Sequence, residues 1–194
     1  MKKNLLLHVC CAPCAVYVAK KLQVDYNITL FFYNPNIQPI REFRFRRSEL
    51  KKISRSQNWN TIYPGYEMEE WFKPIKNLPG YAKEPERGKR CPICFNLRLK
   101  KTFEYAKSNG YDIVASTLSI SPYKVTSQIN EEGRKLSREY GIAFLAENFK
   151  KKDGYNIGRK MALALDIKHQ NYCGCVYSKV EKKLKERLYF CAIF

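Results

Sequence analysis

The chain has 194 residues, eight cysteines and a formal net charge of +18, from 36 Lys and Arg against 18 Asp and Glu. This length suits one globular domain over residues 1–194, and a hydrophobic share of 45% excludes wholesale disorder. No run of 18 apolar residues occurs, so we expect neither a membrane span nor a membrane partner. The three leucines before His8 are too few for a signal-peptide core, so we predict a cytoplasmic protein.

Short apolar runs alternate with segments of helical spacing along most of the chain. The first half is predicted to contain, in order, strand 5–9, helix 15–22, strand 28–33, helix 41–58 and strand 61–63. Prolines and glycines then accumulate, so we expect a loop-rich insertion at about 64–90. The second half is predicted to contain helix 92–109, strand 111–118, helix 123–140, strand 142–145, helix 156–165 and a basic helix from Ser178 to about 188.

This alternation predicts an α/β fold, with a mainly parallel sheet and helices on both faces, in a Rossmann-like arrangement. In such sheets the loops that follow the strands gather at the carboxyl edge and form the site. Cys10, Cys11 and Cys14 follow the first strand, and residues 117–122 follow the fourth. We therefore expect both loops to face one cleft.

Seven cysteines fall into three short clusters: Cys10-Cys11-Ala12-Pro13-Cys14, Cys91-Pro92-Ile93-Cys94 and Cys173-Gly174-Cys175. In a reducing compartment such clusters indicate metal binding or redox chemistry rather than structural disulfides. Two converging clusters could supply four thiolates to zinc or to a [4Fe–4S] cluster. Because seven thiols exceed what one zinc ion uses, the pattern favours redox chemistry. The lone Cys191 is expected to be a small buried hydrophobe.

The Cys173-Gly174-Cys175 cluster has two possible roles. Residues two apart can come within disulfide range, about 5–7 Å between Cα atoms, and so small a ring would be strained and readily reduced. The same two thiolates could instead bind a metal together. The sequence leaves both roles open.

The positive charge points to a polyanionic partner such as nucleic acid. The main candidate surface is the helix at 41–55, where seven basic residues stand against two acidic ones, with Phe43 and Phe45 between them. The residues predicted to bind RNA are Arg41, Arg44, Arg46, Arg47, Lys51 and Lys52. The alternative is a solvated helix face with two core phenylalanines. Residues 179–187 form a second basic patch.

Several segments, taken together and in order, match one known family. They are Leu-Leu-His-Val-Cys-Cys-Ala-Pro-Cys (6–14), Tyr-Asn-Pro-Asn-Ile (33–37), Glu-Pro-Glu (84–86), Arg-Cys-Pro-Ile-Cys-Phe (90–95), Arg98-Leu99, Ser-Thr-Leu-Ser-Ile-Ser-Pro-Tyr-Lys (116–124), Lys-Lys-Asp-Gly-Tyr (151–155) and Gln-Asn-Tyr-Cys-Gly-Cys (170–175). On these residues the chain resembles the QueH family of epoxyqueuosine reductases. The resemblance implies a fold of the nucleotide α-hydrolase-like group and reduction of epoxyqueuosine to queuosine at the wobble position of tRNA.

The resemblance also implies a [4Fe–4S] cluster and one additional iron ion held by cysteine and carboxylate ligands. By carry-over, the cluster ligands are Cys10, Cys11, Cys91 and Cys94. Cys173 and Cys175 would be a redox pair or ligands of the second iron, to which Cys14 is a further candidate ligand. Residues 147–150 lack the Asp of the family pattern, so the carboxylate ligand is unassigned, with Asp153 as a candidate.

The reduction needs two electrons, two protons and loss of the epoxide oxygen as water, so a redox centre is obligatory. The chain has no G-x-G-x-x-G motif for a resident nicotinamide or flavin, so the electrons are expected from an external donor. An ATP-using tRNA-modifying enzyme is disfavoured because the turn after the first strand has no glycine. The alternative function is a zinc-stapled basic RNA-binding module without redox activity.

Overall fold

The computed structural model describes residues 1–191, with the side chains of all of these except residues 187 and 189–191. The strands are β1 Asn4–His8, β2 Asn27–Phe31, β3 Thr61–Ile62, β4 Ile113–Ser116 and β5 Ala143–Phe144. The helices are α1 Ala12–Leu22, α2 Ile40–Ser56, α3 Met68–Lys76, α4 Arg90–Ser108, α5 Thr126–Tyr140, α6 Gly154–Ala164 and α7 Val176–Cys191. A short 3₁₀ turn, Thr117–Ile120, follows β4. The expectation for Cys191 lies outside the described side chains.

All five strands are parallel and lie in the order β3-β2-β1-β4-β5, with β1 at the centre. Parallel neighbours need crossover connections, which helices supply in a right-handed sense. The predicted α/β fold with a parallel sheet is therefore confirmed. The chain order places the loops after β1 and β4 side by side at the carboxyl edge.

The core consists of two apolar layers, one on each face of the sheet. Leu5 and Leu7 of β1 are fully buried in the layer under α1, α2 and α6, whereas Leu6 is fully buried in the layer under α4 and α5. Successive strand residues point to opposite faces, so a strand covered on both sides is apolar without interruption. This explains the leucine run and confirms the prediction of helices on both faces.

The loop-rich interpretation of residues 64–90 was wrong in part, because the segment contains α3. Trp71 and Ile75, one helical turn apart, are 1% and 0% exposed and pack with Cys94 of α4 in a small separate core. Pro74 lies inside this helix, where it removes only a backbone donor near the end. The four prolines of residues 64–90 indicated a loop, although Trp71 and Ile75 have the spacing of a helix.

The helix starts differ from the predictions by one to three residues, and two of these differences involve cysteines of the site. Helix α1 begins at Ala12 rather than residue 15, with Pro13 in its first turn, so Cys14 is already helical. Helix α7 begins at Val176 rather than Ser178, because Cys175 takes the capping role: its Sγ accepts a hydrogen bond from the Ser178 N–H at 3.4 Å. None of the helices in the described part of the chain is long and apolar enough to cross a bilayer.

Candidate active site: a thiol-lined pocket at the carboxyl edge of the sheet

A pocket of about 530 Å³ lies where β1 and β4 end. The loop after β1 contributes Cys10 and Cys11, and the loop after β4 contributes Ile120, Ser121 and Lys124. The prediction that these two loops face one cleft is confirmed. Further lining comes from the start of α1, from α6 and α7, from Arg46 and Glu86, and from the loop before α7, which adds Cys173.

Cys10, Cys11 and Cys14 form a compact cluster that we call the first thiol group. Their sulfurs lie within 4.8 Å of one another, and those of Cys10 and Cys11 are 3.6 Å apart. The start of α1 creates this arrangement, since Cys11 is its N-cap and Cys14 lies in its first turn. Thr117 supports it from the neighbouring loop: its hydroxyl accepts a hydrogen bond from the Cys10 N–H at 3.3 Å and approaches the Cys10 Sγ at 3.7 Å.

The proton affinities within the first thiol group are unequal. Hydrogen bonds from Cys11 and Cys14 lower the pKa of Cys10 well below its usual value. The same contacts raise the pKa of Cys11 to about 12 and hold that of Cys14 well above its usual value. One thiolate is thus stabilised by two neighbouring thiols, while further ionisation requires added positive charge, which a metal ion would supply.

Cys91, Cys94, Cys173 and Cys175 form the second thiol group, at the starts of α4 and α7. Burial raises the pKa of Cys91 to about 12 and that of Cys175 to about 11, and repulsion from neighbouring thiolates of the group adds to both shifts. Burial also raises the pKa of Cys94, which packs with Cys175 against Trp71. Cys91 Sγ accepts a hydrogen bond from the Arg87 N–H at 3.2 Å. All seven described cysteines are free thiols.

A clamp on the backbone orients the Cys-Gly-Cys loop. Arg46 is 3% exposed, and its guanidinium donates to the carbonyl oxygens of Tyr172 and Cys173, each at 3.1 Å, while Glu42 holds its Nε at 2.7 Å. Gly174 has a φ of +124°, and a Cβ there would lie 3.0 Å from Ile37 and 3.1 Å from the Arg46 guanidinium. Only glycine can adopt this positive φ without strain and also leave the space beside Ile37 and Arg46 free of a Cβ.

His8 is buried, and both of its ring nitrogens have hydrogen-bond partners. Its Nδ1 lies 2.9 Å from the Ser116 hydroxyl and its Nε2 lies 3.2 Å from the Tyr33 carbonyl oxygen. Burial, followed by the nearby charge of Arg98, lowers its pKa to about 3, so the ring is neutral near pH 7. Asp153, the candidate carboxylate ligand, is exposed at the start of α6 and accepts a hydrogen bond from Asn156 at 2.6 Å.

The residues predicted to bind RNA occupy different environments on α2. Arg44, Arg47, Lys51 and Arg55 lie along one side of α2, and we call them the basic face. Arg44, Lys51 and Arg55 are exposed, whereas Arg47 is half-buried and its Nε has no hydrogen-bond partner among the described residues. The Arg47 and Lys51 cations lie 5.3 and 5.5 Å from the Tyr63 ring centroid. Arg41 and Lys52 are also exposed, with Lys52 paired to Asp166 at 3.0 Å. Arg46 is buried in the clamp, and Phe43 is 3% exposed in the core.

Sequence reasoning missed the cations and aromatic side chains around the pocket. Lys124 and Arg159 line it, and Tyr123, which is 62% exposed, lies at its margin. Burial works to lower the pKa of Lys124, but the thiolates of Cys173, Cys10 and Cys14 outweigh it, so the net shift is upward. The position of Lys124 just after the fourth strand was the available signal, since loops there line the site.

The two thiol groups differ in how their sulfur donors fit the metals that the resemblance implies. Two thiolates at about 2.3 Å from one tetrahedral ion lie about 3.8 Å apart, and the 3.6 Å between the Cys10 and Cys11 sulfurs matches that spacing. The first thiol group therefore fits a single metal ion. The second group offers four sulfur donors, the ligands that iron–sulfur clusters and structural zinc both use. The predicted cluster ligands take two thiols from each group.

This fold and pocket define an α/β protein with a thiol-rich candidate metal site. A family model described as epoxyqueuosine reductase QueH matches residues 5–181. The chain belongs to the QueH family of epoxyqueuosine reductases, which makes it an oxidoreductase.

Relatives described as epoxyqueuosine reductase QueH match most of the chain. The protein from Acinetobacter baylyi is 38% identical over 179 residues, covering 90% of this chain and 80% of the relative. The protein from Thermotoga maritima is 35% identical over 185 residues, covering 94% and 93%. The protein from Streptococcus pyogenes is 36% identical over 181 residues, covering 92% and 71%.

Proposed function

We propose that this chain reduces epoxyqueuosine to queuosine at the wobble position of tRNA, and that the thiol-lined pocket receives the modified base. The observation that carries the proposal is a pocket lined by the free thiols Cys10, Cys11, Cys14 and Cys173, in a chain of the QueH family. The reaction consumes two electrons and two protons and releases the epoxide oxygen as water. Because the electrons must be supplied anew for every turnover, an external electron donor and a redox cofactor that passes them on are part of the proposal.

We assign an iron–sulfur cluster to the second thiol group and one further iron ion to the first. This division is supported by the three sulfurs of the first group, which lie within 4.8 Å of one another, and by the position of the other four thiols at the starts of α4 and α7. It differs from the ligand set carried over from the family, which mixes the two groups. When bound, these centres would supply the electrons and a Lewis acid.

The protein's own residues would orient the base and keep water out. Pro13, Ile120 and Tyr155 provide apolar wall beside the first thiol group. Lys124 contributes a positive charge beside the thiolates. Tyr123 is exposed at the pocket margin, where its ring can stack on a base next to the one that enters, as aromatic side chains do with splayed RNA bases.

The first experiment is metal and sulfide analysis of protein purified without oxygen, followed by incubation with tRNA that carries epoxyqueuosine and a chemical reductant. We expect about four sulfides and more than four irons per chain, with queuosine detected by mass spectrometry of the digested tRNA. One zinc, no sulfide and no queuosine would favour the zinc-stapled RNA-binding module.

Two matched cysteine variants test the ligand division. Cys175→Ser should lose the sulfide and most of the iron, because it removes one of four cluster ligands. Cys14→Ser should keep the sulfide and lose about one iron per chain. Loss of sulfide in Cys14→Ser with full retention in Cys175→Ser would contradict the division.

The basic face is proposed to bind the tRNA backbone. Neutralising Arg44, Arg47 and Lys51 to Gln should weaken binding and lower the slope of log affinity against log salt by about 2, at about 0.7–0.9 per lost phosphate contact. The matched control neutralises three exposed cations across the sheet on α4 and α5: Lys100, Lys107 and Arg134. If the two triple variants had equal slopes of log affinity against log salt, the basic face would not contact the tRNA.

A further inference from the structure

Arg98 is a buried cation without a carboxylate partner in the described part of the chain. It lies on α4, one turn after Cys94, and is 1% exposed. One of its terminal nitrogens donates to the Asn34 side-chain oxygen, while its Nε is buried with no hydrogen-bond partner. Burying a guanidinium among neutral groups alone costs much free energy, so we expect a negatively charged group close to Arg98.

The groups around Arg98 identify that anion. Arg98 follows Cys94 by one helical turn, so the two side chains lie on the same buried face of α4. Its hydrogen-bond partner Asn34 donates to the carbonyl oxygen of Val9, the residue before Cys10. Cys94 belongs to the second thiol group and Cys10 to the first, so the guanidinium lies where it can compensate charge in both groups.

We propose that Arg98 is the internal counter-cation of the Cys94 and Cys10 thiolates, a positioning residue that stabilises the metal-loaded form of the protein. The inference rests on the proposed function, since that function requires thiolates bound to metal. Arginine suits this role because it stays protonated at all accessible pH values. Without it, the negative charge of the metal-bound thiolates would be buried with less compensation.

A purely structural role makes a different prediction. Arg98 also fixes Asn34, whose side-chain amide donates to the Val9 carbonyl oxygen at 2.9 Å and so ties together the loops after β1 and β2. If this tie were its whole function, removing Arg98 would lower the melting temperature equally in the metal-free and metal-loaded protein. A counter-cation must act mainly on the loaded form.

The test compares wild type, Arg98→Lys and Arg98→Met in the metal-free form and after anaerobic reconstitution with iron and sulfide. Reconstitution with iron and sulfide should raise the melting temperature of all three proteins. The increase should be clearly larger for wild type and Arg98→Lys than for Arg98→Met. Arg98→Met should also lose iron to a chelator at least tenfold faster and show a more negative midpoint potential. Equal increments, chelation rates and potentials in all three proteins would overturn the proposal. If Arg98→Met does not fold, Arg98→Gln replaces it with the same expectations.

Arg90→Met is the matched control. Arg90 is a second buried arginine of α4, but its guanidinium donates to the Tyr81 carbonyl oxygen and stacks 4.1 Å from the Tyr177 ring centroid. Reconstitution with iron and sulfide should raise the melting temperature of Arg90→Met by as much as that of wild type. Uptake of zinc without iron and sulfide would refute the cofactor of the proposed function, and the zinc-loaded forms would then show the same Arg98 effect. Uptake of neither metal would overturn both proposals.

Discussion

Replacing Arg46 by Met separates a structural contact from an RNA contact. Arg46 was predicted from its basic neighbourhood to bind tRNA, yet its guanidinium is buried and donates to two carbonyl oxygens of the loop that holds Cys173. The variant leaves both carbonyl oxygens without their donor and Glu42 without its ion-pair partner. We therefore expect the Cys-Gly-Cys loop to lose its fixed orientation.

The size of the effect follows from the two lost contacts. A buried polar group that loses its partner costs about 1–3 kcal/mol, so two carbonyl groups together cost about 3 kcal/mol after partial rehydration. For a chain of this length each kcal/mol lowers the melting temperature by about 2–4 °C. Arg46→Met should therefore melt about 6–12 °C below wild type.

The assay compares Arg46→Met with Arg44→Met, which removes an exposed cation two positions away on the same helix. Differential scanning calorimetry, metal content and tRNA affinity at several salt concentrations are measured on both. Arg46→Met should lose stability and bound metal while the salt slope of its residual tRNA binding is unchanged. Arg44→Met should keep stability and metal and show a reduced slope. A stable, fully loaded Arg46→Met with a reduced slope would refute the clamp.

Two further predictions concern acid stability and backbone conformation. The pKa of His8 is about 3 in the fold against 6.5 ordinarily, so the unfolded state binds more protons and stability falls as pH drops from 6.5 toward 3; in His8→Gln, urea unfolding should show a flatter dependence over that range, and an unchanged slope would contradict the buried neutral ring. Gly174→Ala should reduce bound metal, because its Cβ would crowd Ile37 and Arg46. The control Gly141→Ala has positive φ but open space, so it should cost only about 1–3 kcal/mol of strain and keep the metal. Equal metal loss in both glycine variants would show that crowding is irrelevant.

The sheet was predictable because its strands are covered on both faces. An uninterrupted apolar run such as Leu5–Leu7 has one plausible environment, and the order of strands and helices then restricts the topology to a parallel sheet. The position of the site followed from the same rule, since residues after β1 and β4 must meet at the carboxyl edge. Helix α3 was not predicted because proline is unfavourable inside a helix, and Pro74 therefore counted for more than the helical spacing of Trp71 and Ile75.

Composition could not predict which basic residues of α2 are buried and which are exposed. Arg44, Arg46 and Arg47 are near neighbours in sequence, and only the packing of α2 decides which of them points to the core. Helical geometry turns each successive residue by about 100°, so a basic run necessarily sends some side chains inward. Arg46 faces the Cys-Gly-Cys loop because it follows Phe43, a core residue, by one turn. The buried position of Arg98 is likewise a property of packing.

The seven thiols share a local setting that explains their common chemistry. Each group lies at or just before the start of a helix: Cys11 caps α1, Cys91 and Cys94 begin α4, and Cys175 caps α7. Helix N-termini carry partial positive charge and unpaired N–H groups, which favour thiolate over thiol. In the metal-free fold, burial and the neighbouring thiols outweigh this effect at five cysteines, whose pKa values are raised: Cys11, Cys14, Cys91, Cys94 and Cys175. The helix termini therefore lower the cost of ionising these thiols, and the proposed metal ions would supply the remaining positive charge.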